Sequence, residues 1–284
     1  MTPDQFDDFP VSSIGSADAK DLYQSYLEFE MMLAQVPRKY LGNNPSVAEY
    51  DLFREMHIAR MTKGALYRRR FDANEALGRL WLSRIRQQAQ LLLASTEVVP
   101  FDGLSADELA DFARLSATPE KLNSLQQLLL DKGIVIIYEP SIPSMKLDGA
   151  VFCLDDGHPV IGLSLRYPRF DIFWFTLMHE LAHIVLHREL LTEPILEDLD
   201  AAPEGLVEKQ ADRLAGDSLI SRSDWRSANV KYSSTEENLL DFARRAGVHP
   251  AIVAGRLQRE SARKNIFSTI LNEVNVRRII FGHE

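Results

Sequence analysis

A stretch of fifteen residues, Phe173 to His187, constrains the fold of this chain more than any other, because it is apolar except for three histidines, a glutamate and a threonine. It holds neither glycine nor proline, and Asp171 stands where a helix cap is expected, so the stretch predicts a buried helix. Each polar group that is buried without a partner costs about 1–3 kcal/mol. A bound cation would remove that cost. The alternative explanation is that the histidines find hydrogen-bond partners within the core.

The pattern His-Glu-x-x-His lies inside this stretch. His179 and His183 are four residues apart, so on a helix they share a face and can point two imidazoles at one metal ion. Glu180 lies to one side of that face, where it can act as general base without being a ligand. The pattern is the zinc metallopeptidase signature, and it predicts Zn²⁺ or another divalent metal at this position.

A third ligand has to come from elsewhere in the chain. His187 lies eight residues after His179, which is about 12 Å of helical rise and too far for zinc–nitrogen bonds of about 2.1 Å. Glu208 opens a segment with apolar residues at helical spacing and is the favoured ligand. Asp212 follows one turn later and could ligate instead, or orient a histidine. The remaining interpretation is that Glu208 is an ordinary acidic residue in the first turn of a helix.

Four segments together resemble the ImmA/IrrE family of bacterial zinc metallopeptidases, and they occur in the family's order over roughly residues 119–260. They are Lys146–Phe152, Phe175–His183, Glu208-x-x-Ala211-Asp212 and Asp241–Leu257.

The resemblance implies a zincin-like core with gluzincin-like chemistry, in which His179, His183 and Glu208 hold zinc and Glu180 is the base. It also implies a substrate: a helix-turn-helix repressor or antitoxin encoded beside the peptidase, cleaved in a stress, phage or mobile-element response. Longer family members begin with a helix-turn-helix domain, whose pattern is not found before residue 100. The amino-terminal region is therefore expected to be a helical platform for a partner.

The order of predicted elements indicates an α+β fold with a small mixed sheet. Ile134–Tyr138 reads as a central strand, and two further strands flank the turn signal at Asp155–His158. Peptidases of this type commonly lay the substrate along an edge strand. The residues predicted to form that edge are Asp148, Gly149, Ala150, Val151 and Phe152. The predicted domains are a flexible acidic arm (1–20), a helical region (21–100), the peptidase core (101–235) and a helical carboxy-terminal segment resembling a helix-turn-helix (236–284).

Composition bounds the remaining functions. No apolar run approaches the roughly 20 residues of a membrane span, and the single cysteine, Cys153, fits a reducing compartment and reads as a core residue rather than a reactive thiol. We therefore expect a soluble, cytoplasmic protein. The net charge of −9 argues against bulk affinity for nucleic acid. The arginine run at 68–70 is expected to be solvated or to face a partner, rather than to contact nucleic acid.

Two questions stay open at this stage. The transition state of peptide hydrolysis needs an oxyanion donor, for which Tyr167, Arg169 and His187 are candidates. Residues 243–263 have the spacing of a helix-turn-helix, but a helical hairpin that never meets DNA is favoured. A rival function is a non-catalytic, metal-stabilised antitoxin or regulator that binds DNA through Arg256 and Arg259. The presence of Glu180 favours the peptidase, because a structural zinc has no use for a base.

Overall fold

The computed structural model describes residues 19–63, 73–197, 205–261 and 266–282. The chain divides into two compact units, Met1–Arg79 and Leu80–Glu284. The arginine run at 68–70 lies outside the described residues, and so does the predicted acidic arm except for residues 19 and 20, which open the first helix. Within the described ranges, no helix combines the length and the apolar character that crossing a membrane requires.

The first unit is helical in its described residues. It contains α1 (Ala19–Leu33), α2 (Pro45–Lys63) and the start of α3 (Ala73–Ser95). Aromatic rings join α1 to α2, with the Phe29 and Phe53 centroids 5.6 Å apart. A hydrogen bond between His57 Nδ1 and Ser25 Oγ, 3.0 Å long, links the same two helices.

The second unit is built around a mixed four-stranded sheet, which confirms the α+β prediction. The strands are β1 (Val135–Tyr138), β2 (Gly149–Cys153), β3 (Pro159–Leu163) and β4 (Ile195–Glu197), in the order β1-β3-β2-β4. β2 and β3 form the predicted antiparallel hairpin, and β1 runs parallel to β3. The turn of the hairpin is closed by Gly157, whose φ of +88° lies in the region that favours glycine.

Two strand predictions are corrected by this order. Gly149, Ala150, Val151 and Phe152 do not form an edge, because β2 pairs with β3 on one side and with β4 on the other, and Asp148 only precedes the strand. In the described part of the sheet, β1 lies at an edge instead of the centre. An apolar strand sequence indicates that both faces of the strand are buried, but it does not indicate how many strands pair with it. β4, with three residues, is too short to show in the sequence pattern.

Helices cover both faces of the sheet. Ile85 in the second half of α3 lies over Gly162 in β3, where an added Cβ would come within 2.3 Å of Ile85 Cδ1. Trp81 Nε1, one turn earlier, donates to the Glu139 carbonyl at 2.8 Å. The opposite face packs against α6 (Phe170–Leu186), which is buried almost throughout and places the candidate site against the sheet.

Further helices complete the second unit, and several of them pack against α6. They are α4 (Ala106–Arg114), α5 (Leu122–Leu130), α7 (Gly205–Leu219), α8 (Arg222–Arg226), α9 (Glu236–Ala246), α10 (Pro250–Glu260), α11 (Ser268–Leu271) and α12 (Val276–Phe281). α4 begins with a capping box, since Ser105 Oγ accepts from Glu108 N at 3.2 Å and Glu108 Oε2 accepts from Ser105 N at 2.9 Å. α9 and α10 pack against each other, and residues of both lie in the same hydrophobic core as the sheet. The choice between a helical hairpin and a DNA-binding helix-turn-helix stays a prediction.

Candidate metal centre

Helix α6 carries three of the predicted site residues, and its start differs from the prediction. Asp171 does not cap the helix, since the cap position is Arg169, whose backbone is extended. The carboxylate of Asp171 lies within the first turn and accepts from Arg169 Nε at 3.0 Å and Nη2 at 2.8 Å. Arg169 Nη2 also donates to Gln258 Oε1 of α10 at 3.3 Å. A hydrogen bond from the charged guanidinium of Arg169 to a neutral amide thus links the start of α6 to α10.

The three predicted ligand atoms converge. His179 Nε2 lies 2.9 Å from His183 Nε2 and 3.2 Å from Glu208 Oε2, and His183 Nε2 lies 3.5 Å from the same oxygen. A tetrahedral zinc site with bonds of about 2.0–2.1 Å has ligand atoms roughly 3.4 Å apart. The packing of α7 against α6 brings Glu208 to the two histidines, so the arrangement has the dimensions of a metal site.

The chemistry of the donor atoms also fits a cation. Asp212 Oδ1 accepts from His179 Nδ1 at 3.0 Å, which fixes the proton on Nδ1 and leaves the Nε2 lone pair facing the site. Asp212 therefore lies behind a histidine, where it orients the ring, and does not join the three converging atoms. Lone pairs that face one another at these distances repel unless a positive charge lies between them.

The pKa values favour the metal-binding forms of the ligands. Burial raises the pKa of Glu208, but hydrogen bonds with His179 and His183 and the charges of these rings, both present when Nε2 is protonated, outweigh it and lower that pKa to about 2. Burial is the main cause that lowers the pKa of His183 below its usual 6.5. Near neutral pH the site therefore presents a carboxylate and a neutral imidazole, the protonation states in which these groups ligate metals.

Glu180 is fully buried and faces the sheet. A Cβ added to Gly149 would lie 2.2 Å from Glu180 Oε1 and 2.8 Å from Thr176 Cγ2. The carboxylate thus occupies space that only a glycine in β2 leaves open. Gly149 belongs to the site although it was predicted only as part of a substrate edge; a glycine inside a strand is a signal for such close approach.

The oxyanion candidates lie in three different settings. Arg169 is engaged with Asp171 and Gln258, as described above. His187 lies behind His183, with the two Nδ1 atoms 3.1 Å apart. Tyr167 lines a small cavity together with Thr176 and Asp148, and Arg166 Cζ lies 4.9 Å from the centroid of its ring. Of the three, Tyr167 is the one whose cavity adjoins the helix face next to Glu180, and its role stays a prediction.

One comparison with known proteins gives a match. The family model described as "Peptidase_M78: IrrE N-terminal-like domain" matches residues 130–258. Every residue of the converging site lies inside that range, as do β1 to β4 and α6 to α9, and α10 ends two residues beyond it. The comparisons with curated proteins and with solved structures find no match.

Proposed function

This chain carries a peptidase domain of the IrrE N-terminal-like family, as a member of the ImmA/IrrE family does, and we propose that it is a zinc-dependent endopeptidase of the zincin type. His179, His183 and Glu208 hold the metal, and Glu180 is the catalytic base. One observation carries the proposal: three acceptor atoms from two helices converge within 2.9–3.5 Å, and Glu180, next in sequence to the first of these ligands, is a fully buried acid that is not one of them.

Zinc in such a site polarises the scissile carbonyl and lowers the pKa of water to near 7. The residues of the chain supply the rest. The Glu180 carboxylate takes the proton of the attacking water, and Gly149 leaves it the room to do so. Asp212 holds the His179 ring in the tautomer that ligates. Glu208 keeps its negative charge across the whole physiological pH range because its pKa is about 2.

The substrate main chain docks at β4 in this proposal, in place of β2. In the described part of the sheet, β4 pairs only with β2, and Leu196 at its centre is 40% exposed. An extended peptide that adds to a sheet edge gains main-chain hydrogen bonds, and pockets for its side chains give specificity. The substrate class, a co-encoded helix-turn-helix repressor or antitoxin, is proposed from the family resemblance.

The test has two parts. Zinc-loaded protein and its Glu180→Gln variant are incubated with the co-encoded protein and, separately, with a peptide library derived from a whole proteome. Mass spectrometry identifies new termini, and elemental analysis measures bound zinc. We expect cleavage by the wild type, loss of cleavage in the variant, and equal zinc in both. Equal cleavage at equal zinc content would remove Glu180 from the mechanism.

The structure gives less support to the rival function, a DNA-binding regulator, because the two arginines proposed to contact DNA bind other parts of the protein. Arg256 Nη1 donates to the carbonyls of Gly216 at 3.2 Å and Ile220 at 2.9 Å, at the end of α7. Arg259 Cζ lies 3.7 Å from the centroid of the Phe175 ring in α6. Residues 251–255 of α10 are buried, whereas a recognition helix must offer a face to the major groove. Titration of labelled promoter DNA tests this directly, and the peptidase proposal expects no salt-resistant complex.

A further inference from the structure

A third histidine, at the carboxy-terminal cap of α6, connects the candidate site to an exposed residue of α7. His187 is 8% exposed, and its Nδ1 lies 3.1 Å from His183 Nδ1, while its Nε2 lies 3.0 Å from Gln210 Oε1. We propose that His187 and Gln210 form a directed hydrogen-bond relay that holds His183 in its metal-binding tautomer. The inference rests on the metal site of the proposed function and assigns two positioning residues to it.

The direction of the relay follows from the donor and acceptor chemistry. Two neutral imidazole nitrogens 3.1 Å apart share one proton, so only one of the two Nδ1 atoms carries it. When His183 carries it, the His183 Nε2 lone pair faces the site. His187 Nδ1 then accepts, so the proton of His187 is on Nε2 and is donated to the Gln210 amide oxygen, which can only accept.

The opposite direction abolishes the site. If the Gln210 amide turned its NH₂ group toward His187, His187 Nε2 would accept and its Nδ1 would carry the proton. His183 Nδ1 would then accept, and the proton of His183 would lie on Nε2, pointing at His179 Nε2 only 2.9 Å away. A protonated Nε2 cannot ligate a metal. The orientation of one amide therefore decides whether His183 is a ligand.

The two histidine ligands differ in how firmly their tautomers are held. His179 donates to the carboxylate of Asp212. An ionised carboxylate can only accept hydrogen bonds, so it allows a single tautomer of His179. His183 faces an imidazole, which can donate or accept, so its tautomer depends on the next residue in the chain of bonds. Gln210 therefore does for His183, through His187, what Asp212 does directly for His179. Outer hydrogen-bond partners of this kind typically change metal affinity about 10- to 100-fold when removed.

The exposure of Gln210 makes the relay testable without unfolding the protein. The affinity of the full chain for zinc is measured by competition with a chromophoric chelator, without any substrate. Gln210→Met removes the acceptor, and Gln210→Lys replaces it with a group that can only donate. We expect both to weaken zinc binding by about 10-fold or more. The matched control is Leu206→Lys, which adds the same charge one turn earlier at a side chain that is 71% exposed.

Two further measurements separate the relay from simple packing. His187→Asn places an amide oxygen where Nδ1 was and should keep zinc affinity within about threefold of the wild type, whereas His187→Leu should lose about 10-fold or more. Nitrogen-15 spectra of the zinc-loaded wild type should show His187 protonated on Nε2, with Nδ1 unprotonated. A merely structural role would not impose that tautomer.

The outcomes distinguish the relay from the metal site itself. A wild-type protein that binds no zinc would overturn the proposed function. A wild type that binds zinc while Gln210→Met keeps its affinity, or while Leu206→Lys loses as much as Gln210→Lys, would overturn the relay alone. A His187 proton on Nδ1 in the zinc-loaded protein would do the same.

Discussion

Gly149→Ala is the substitution that tests most directly how the sheet positions the proposed base. The new methyl group would lie 2.2 Å from Glu180 Oε1, 3.1 Å from Glu180 Cδ and 2.8 Å from Thr176 Cγ2. Ordinary van der Waals contact requires about 3.4 Å, so the carboxylate has to move by about 1 Å. Glu180 is fully buried, and therefore it cannot swing into solvent to relieve the overlap.

The expected cost divides between stability and catalysis. Adding a methyl group to a well-packed interior typically destabilises by about 1–3 kcal/mol. Misplacing a catalytic group by about 1 Å can lower the rate roughly 100-fold, which corresponds to about 2.7 kcal/mol of transition-state stabilisation. The three atoms nearest to the new methyl group belong to Glu180 and Thr176, and to none of the three proposed zinc ligands. We expect a kcat about 100-fold lower, with zinc content unchanged.

The assay is steady-state cleavage of a peptide found in the library screen, with zinc measured in the same samples and folding checked by thermal denaturation. Gly216→Ala is the matched control: Gly216 lies in α7, and nothing beyond its chain neighbours and its own helix backbone lies within 4 Å of the added Cβ. The control should keep full activity and gain about 0.5–1 kcal/mol of stability, because alanine is the better helix former.

A second variant tests whether the overlap with Glu180 or the overlap with Thr176 causes the loss of activity. Thr176→Ser removes the Cγ2 atom but keeps the hydroxyl that donates to the Ile172 carbonyl at 2.9 Å. Combined with Gly149→Ala, it should leave most of the catalytic loss in place. The reasoning is refuted if the double variant recovers activity, or if Gly149→Ala alone keeps kcat within about threefold of the wild type.

Three further predictions concern the scaffold. Gly255→Ala should destabilise the protein by about 1–3 kcal/mol, measured by urea denaturation, because its Cβ would lie 2.1 Å from Asp171 Oδ2; unchanged stability would contradict the close approach of α10 to α6. Tyr138→Phe should raise the unfolding free energy by up to about 1 kcal/mol, since the buried Tyr138 hydroxyl has no hydrogen-bond partner among the described residues; a loss of stability would reveal a partner. Hydrogen bonds from Lys132, then from Ser105, lower the pKa of Glu108 from 4.5 to about 2, so the carboxylate stabilises the fold above pH 4.5 and loses that effect as pH falls toward 2. The difference in urea midpoint between wild type and Glu108→Gln should therefore shrink as pH falls over that interval. A difference independent of pH would contradict the stabilising role of the ionised Glu108 carboxylate.

The site also shows why a short motif could be found from residues alone. His179, Glu180 and His183 are close in sequence, and helix geometry alone determines how their side chains diverge. Nothing beyond the absence of helix breakers in Phe173–His187 was needed to place two imidazoles on one face. The capping box of α4 and the hairpin of β2 and β3 were predictable for the same reason, since each depends on interactions within a few residues.

Contacts between distant segments were decided by tertiary packing. Glu208 is 25 residues beyond His183, and whether its carboxylate or that of Asp212 joins the histidines depends on the angle and depth at which α7 packs on α6. β4 converts β2 from the expected edge into an interior strand. The glycine at position 149 indicates that something approaches β2 closely but does not identify Glu180, and no sequence pattern indicates the contact of Gln210 with His187. The motif can be recognised in the sequence because it depends on local hydrogen bonds and on side-chain periodicity. The close packing of separate elements decides which acceptor atoms converge, which strand forms the open edge of the sheet, and which residue orients each histidine.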